Sequence, residues 1–346
     1  MSNVHPADKD GPARIEANKT TGGWDVHVHI IPPAIHEAGT RGLYGMRADA
    51  TTLRICSHGV PLQPLSDVGR LIDRISSDHL NGAIVSVPPP LFRPDLRSDE
   101  QASYTRLVND SLLSACQAHH PTLRPFAYLP IENPELAADT ALELGDEWAG
   151  VVAGTELGAL AYSSERYDAL WRVLADARLP LFIHPGSSPD RRLDAFYLSN
   201  LLGNPVETTI AAANLIFSGV MHRFPDLQVI LAHGGGCLAA LSGRWQRGML
   251  TNRPGIAELD LAPADAVRRF HVDSLVHSPA FLRTIIDVVG DDRILLGSDW
   301  PFPMGAPSAS HDIAELSSAL QKKIRKTNAE QLFGSRLRGP PSVHDH

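Results

Sequence analysis

A chain of 346 residues can bury a large core, and 43% hydrophobic with 20% charged residues is the composition of a globular protein. A formal charge of −8 offers no basic face to nucleic acid or an anionic membrane surface, and no apolar run nears the roughly 20 residues that span a bilayer. Three cysteines (Cys56, Cys116 and Cys237) without a CxxC pair argue against a disulfide framework and for a reducing, cytoplasmic setting.

Residues 1–22 are polar, lack the apolar core of a signal peptide, and read as a flexible arm. Residues 23–337 read as one domain in which short β-rich runs alternate with helical stretches. The first run is WDVHVHI (24–30), and the Gly- and Pro-rich stretch 31–65 that follows reads as a small insertion over the mouth of the fold, a lid. Then come GAIVSVP (82–88), RPFAYLP (124–130), AGVVAGT (149–155), LPLFIHP (179–185), QVILAHG (228–234), RRFHVDSL (268–275) and RILLGSDW (293–300). Nearly continuous apolar strands are those buried on both faces. Eight of them with helices between predict an α/β fold, a distorted (β/α)8 TIM barrel, with a doubly wound open sheet as the alternative. Asn204-Pro205-Val206-Glu207 predicts an N-cap, a first-turn proline and a capping-box glutamate for a helix ending near Phe224-Pro225. Residues 338–346 read as a frayed tail.

The strand ends carry the chemistry. His27 and His29 alternate on the first run, so both imidazoles face one side. Alone, the pair is as well read as two hydrogen-bonded histidines. His184 closes the fifth run, His233 the sixth and Asp299 the eighth, and in a barrel these C-terminal ends converge on one site. Buried imidazoles and a carboxylate need partners, and a divalent metal supplies them. His27, His29, His184 and Asp299 can fill the protein positions of one ion, leaving His233 as acid/base; His233 as a fifth ligand is the alternative. An ion there would activate water at neutral pH. The five lysines are Lys9, Lys19, Lys322, Lys323 and Lys326. None lies in the body between, which excludes a Schiff-base lysine, a P-loop lysine and a carbamylated lysine bridging two metals there.

The segments DVHVHIIP (25–32), HP (184–185), NPVETTIAAANLIFSGVMHRFPDLQVILAHGGG (204–236), FHVDSLVHSP (270–279) and ILLGSDWPFPMG (294–305) carry a resemblance. They resemble the aminocarboxymuconate-semialdehyde decarboxylase branch of the amidohydrolase superfamily. The resemblance implies a distorted barrel with a small insertion and a homodimer. It implies one divalent metal, usually zinc with manganese possible, held by His27, His29, His184 and Asp299, and proton transfer by His233, with Asp299 also at the reacting centre. It further implies that Arg244, eleven residues after His233, binds a substrate carboxylate from the neighbouring subunit. Arg54 matches a second carboxylate-binding arginine less securely, and Trp300 and Phe302 would wall the pocket.

One departure is plain. The branch has tryptophan after the His-Pro of the fifth strand, where this chain has Gly186 and then SSPDRR, bringing Arg191 and Arg192 near in sequence. Glu156, after the fourth run, reads as a loop carboxylate rather than a second-metal ligand. Asp273 and His277 read either as partners that orient ligands or as local helix caps. The expected reaction is non-oxidative decarboxylation of a small unsaturated or aromatic carboxylic acid. A hydrolase of the same superfamily, acting on a lactone, amide or ester, is the runner-up, and a catalytically dead metal-stabilised binding protein the rival of another class.

Overall fold

All eight apolar runs become strands of one parallel sheet in the computed structural model, which describes residues 21–56, 58–158, 160–256 and 259–338. In chain order the strands are β1 (Trp24–His29), β2 (Met46–Ala48), β3 (Thr52–Ile55), β4 (His58–Pro61), β5 (Gly82–Ser86), β6 (Leu123–Tyr128), β7 (Gly150–Ala153), β8 (Leu181–Ile183), β9 (Val229–Leu231), β10 (Phe270–Asp273) and β11 (Ile294–Leu295). The large sheet runs β1-β5-β6-β7-β8-β9-β10-β11. Its ends meet: the Val26 N–H donates to the Leu296 carbonyl (2.8 Å), Asp299 to His27 (2.8 Å) and His29 to Trp300 (2.9 Å). The result is an eight-stranded parallel α/β barrel, and the open-sheet alternative falls.

Helices between the strands start where the sequence caps them. Asn133 accepts the Leu136 N–H (3.2 Å) ahead of Pro134–Leu142, and Ser278 accepts that of Phe281 (3.3 Å) ahead of Pro279–Val289, each with proline at the first helical position. The expected cap at Asn204 does not form. The helix Asn204–Phe217 continues directly from a π-type turn, Ser199–Gly203, so its first N–H groups already have a preceding turn, and Glu207 bonds Ser188 instead. It also stops early, at Phe217; Gly219 (φ +73°) breaks it, and a separate turn, Val220–Arg223, leads to Phe224-Pro225.

Residues 31–65 are more regular than their Gly and Pro content implies. They form a helix (Pro33–Thr40) and the antiparallel sheet β2-β3-β4, with Met46, Leu53, Ile55 and Val60 buried. Strands of three or four residues are too short for alternation to read as a period. Arg93 ties this insertion to the segment after β5, donating to the Tyr44 carbonyl (2.8 Å). The arm and tail expected at the termini fall, for residues 1–20 and 339–346, outside the described residues. Among the described residues no helix is long and apolar enough to cross a membrane.

Candidate metal centre and active site

His27 and His29 enter the barrel from β1, fully buried, with His27 standing edge-on to Phe182 (5.0 Å between ring centres) and Phe126 packed below it. His184 follows β8, and Asp299 lies on the segment that closes the barrel onto β1. One ligand atom from each of these four residues lies within 4.8 Å of all the others. His27 Nε2 and His29 Nε2 are 3.3 and 3.2 Å from Asp299 Oδ1. Those approaches lack hydrogen-bond geometry: the Nε2 atoms of His27, His29 and His184 and Oδ1 of Asp299 are buried without a hydrogen-bond partner. Orphaned buried polar atoms are costly. Three imidazole nitrogens and a carboxylate oxygen converging on one point are the donor set of a divalent ion, and the residues fit one.

The opposite ring nitrogens are all held. His184 Nδ1 donates to the Pro185 carbonyl (2.8 Å), which only accepts, so the neutral ring turns its Nε2 lone pair to the cluster. His27 Nδ1 donates to Asp273 Oδ2 (2.7 Å), and His29 Nδ1 pairs with Ser86 Oγ (3.0 Å). Burial, with the neighbouring imidazoles, keeps His184 well below the ordinary histidine range, and burial lowers His29 too. Burial also opposes a charge on His27, but Asp299 and Asp273 outweigh it and lift the ring to about 10. Burial would likewise raise Asp299, yet the His27 charge holds its carboxyl well below the usual range. A metal cation would take the place of that His27 proton.

His233 stands beside these four. Its ring centre is 5.3 Å from that of His27 and 5.1 Å from that of His184, and its Nε2 is 3.9 Å from Asp299 Oδ2. It sits at φ +56° on the turn after β9, where Gly234 follows at φ +62°. A Cβ on Gly234 would collide with Val276. Asp273 pins this turn: its carboxylate accepts the N–H groups of His233 (2.9 Å) and Gly234 (2.8 Å) while holding His27. One buried side chain thereby aligns both His27 and the backbone under His233.

A cavity of about 400 Å³ opens from the centre, with His233 and Asp299 on its wall. Asn200, Asn204 and His277 add polar edges, and Leu275, Val276, Phe281 and Met304 an apolar surface. His277 therefore lines the cavity; its N–H and that of Val276 donate to Asp312 (3.0 Å each). Trp300 and Phe302 both adjoin His29. Trp300 supplies the carbonyl that holds His29, Phe302 lies edge-on to the His29 ring (5.4 Å), and Met304 is the wall from that loop. Arg244 is exposed on the helix Leu238–Leu250, one turn beyond Ala240, which does line the cavity. Arg54 is exposed on β3 over Gly59 and is not brought to this cavity. Arg191 and Arg192 are also exposed, the latter paired with Asp190.

Asp25, Ser86 and Asp312 went unremarked in the sequence. Asp25 accepts N–H groups from His27 (3.2 Å) and Ser298 (3.0 Å), joining β1 to the closing segment. Its spacing with His27 and His29, every second residue, was a usable signal. Ser86 meets His29 only through strand register, which no local pattern carries.

The amidohydrolase family model matches residues 91–335. A 2-amino-3-carboxymuconate-6-semialdehyde decarboxylase of Dictyostelium discoideum is 25% identical, over 90% of this chain and 91% of its own length. A 6-methylsalicylic acid decarboxylase of Penicillium expansum is 28% identical over 91% and 97%. The fold is also that of a 5-carboxyvanillate decarboxylase from Novosphingobium aromaticivorans, solved with manganese and 4-hydroxy-3-methoxy-5-nitrobenzoic acid (TM-score 0.77, 24% identity, covering 91% of this chain and 97% of that one). Convergent strand-end ligands on an eight-stranded barrel and a family match over most of the length lead to one conclusion: this chain belongs to the amidohydrolase family.

Proposed function

We propose that the protein is a metal-dependent, non-oxidative decarboxylase of a small unsaturated or aromatic carboxylic acid. The observation that carries this reading is the cavity that ends on His233 and Asp299 beside a preformed ligand cluster. Its volume suits a single-ring acid, and its apolar wall suits the ring. The Dictyostelium and Penicillium relatives are both decarboxylases, and both act by name on acids of this kind.

His27, His29, His184 and Asp299 hold one divalent ion per chain; the three-imidazole, one-carboxylate set suits zinc, and manganese occupies the carboxyvanillate decarboxylase. Bound there, such an ion supplies electrostatic stabilisation of charge that develops on the substrate. The carbon–carbon bond to the carboxylate breaks, its electron pair stays on the substrate carbon, and CO2 leaves. That carbon then takes a proton, which His233 delivers from the cavity wall, with Asp299 Oδ2 beside it to bias the imidazole. Asp273 acts through His27 and the His233 turn as a positioning residue.

We assign Arg244 to a partner subunit's substrate: its guanidinium is exposed, on a helix whose preceding turn lines the cavity, and it suits bidentate capture of a carboxylate. The active unit is then a homodimer. Arg54 lies outside the lining of this cavity. The three free cysteines support a reducing, cytoplasmic setting.

The test is a panel of unsaturated and aromatic acids offered to metal-loaded enzyme, with headspace CO2 as the readout. Stoichiometric CO2 from at least one acid is the expected result. Turnover of lactones, amides or esters with no CO2 from any acid would make it a hydrolase instead.

A further inference from the structure

The catalytic cavity has a wall that the bond-breaking step does not use. Asn200, Leu201, Asn204 and Pro205 all line it, while Leu202 and Gly203 do not. That spacing is one face of a continuous run, the π-type turn Ser199–Gly203 passing into the helix Asn204–Phe217. Asn200 and Asn204 therefore stand one turn apart on the side that meets the cavity. Gly203 anchors the turn: it is buried, and a Cβ there would press on Ser188 (3.0 Å) and Leu193 (3.2 Å).

Both carboxamides are free. An asparagine at the head of a helix ordinarily turns its side chain back to cap the first N–H groups. Here the preceding turn already serves those groups, and no side-chain cap forms at either junction. Among the described residues Asn204 bonds Thr208 through its main-chain carbonyl (3.1 Å), and neither carboxamide has a partner. Each asparagine is half-exposed, so it can trade water for a ligand group without leaving a buried orphan.

The rest of the lining narrows what that group is. Leu201, Val276, Phe281 and Met304 offer apolar surface to a ring. Among the described residues the lining holds no lysine or arginine, and its one carboxylate, Asp299, belongs to the ligand cluster. A second carboxylate on the substrate would find no cation of this chain at the carboxamides. A neutral hydroxyl both donates and accepts, and so does a carboxamide.

We propose that Asn200 and Asn204 are specificity-determining residues, selecting a single-ring acid that bears a neutral hydroxyl on the side of the ring away from the reacting carboxylate. The inference rests on the decarboxylase reading for which group reacts. With the carboxylate at the metal-centre end, the ring lies along the apolar surface. The hydroxyl donates to one carboxamide oxygen and accepts from the other carboxamide's N–H. A site built to hydrogen-bond a hydroxyl rejects the analogue that lacks it far more strongly than an apolar pocket rejects an added group.

Calorimetric titration of the full-length, metal-loaded protein with 3- and 4-hydroxybenzoate tests it, against the 3- and 4-methylbenzoates as near-isosteres and against isophthalate and terephthalate. At the better-bound ring position the hydroxy acid is expected to bind at least roughly tenfold tighter than either the methyl acid or the dicarboxylate. Asn200→Leu and Asn204→Leu should each weaken the hydroxy acid at least roughly fivefold and leave the methyl acid unchanged or tighter. A misfolded variant would lose both acids, and the wild-type comparison needs no variant. Binding is read apart from turnover, so CO2 measured in parallel separates the two claims. Discrimination without CO2 from any acid would support the carboxamide site and remove the decarboxylase. Equal binding of hydroxy and methyl acids, tightest binding of a dicarboxylate, no binding of any acid, or a preference that survives both substitutions would overturn the inference.

Discussion

His27 is held at Nδ1 by Asp273 and turns its Nε2 into the ligand cluster, and Asp273 also holds the backbone of His233. Removing the Asp273 charge therefore disturbs two things at once. Asp273→Asn should lower metal affinity by about 10- to 100-fold and lower kcat even at saturating metal, since the turn under His233 loses its anchor. A competition titration with a chelator, followed by kinetics at excess metal, reads the two effects separately; an unchanged metal affinity would remove Asp273 from this role. The four clustered residues and His233 should part company in a second comparison. His184→Ala and Asp299→Ala should lose both metal and turnover. His233→Ala should lose turnover by at least roughly a hundredfold while keeping most of its metal. Metal loss in His233→Ala equal to that in His184→Ala would make His233 a fifth ligand.

At the scale of elements, the turn after β9 is the most constrained piece of backbone at the site. Gly234 sits at φ +62° with Val276 and Ile285 against the place where a Cβ would go. Gly234→Ala should cost about 2–4 kcal/mol, from left-handed strain and the collision together. Adding Val276→Ala should return part of that and leave the strain, a coupling that urea denaturation of the single and double variants measures. Strands were legible because each is a short, nearly continuous apolar run. His184, His233 and Asp299 announce the ends of their strands in the sequence itself. What was not legible is register and continuity. Ser86 reaches His29 by strand pairing, and the helix at Asn204 inherits its start from a turn whose residues, Ser199–Gly203, show no helical pattern. The loop after β11 is a further case: Phe302 lies against the His29 ring and Met304 lines the cavity. Asp273 was left between a ligand partner and a helix cap because both need a carboxylate at that spot; the structure gives it to His27.

For the whole molecule, one half-buried acid sets a pH dependence of stability away from the metal. Burial lifts Glu132 from 4.5 to about 7. The folded chain holds that proton where the unfolded chain has lost it, so its contribution is full below 4.5 and fades as pH rises to about 7. Glu132→Gln should gain on the wild type by on the order of 3 kcal/mol between acid pH and pH 8, read as the difference in urea stability across that range. A difference that is flat with pH would contradict it. The homodimer is tested by mixing two inactive chains, His233→Ala and Arg244→Ala. In a mixed dimer one site has both residues, and random exchange should restore about a quarter of wild-type activity. No rescue in verified mixed dimers would place Arg244 outside a shared site. The central claim, that this barrel removes CO2 and puts a proton on carbon, is tested most directly by running the reaction to completion in heavy water with an acid that is turned over. The account predicts a product smaller by CO2 that carries one deuterium on the carbon that bore the carboxylate. A product that keeps every carboxylate and has gained the elements of water would contradict it.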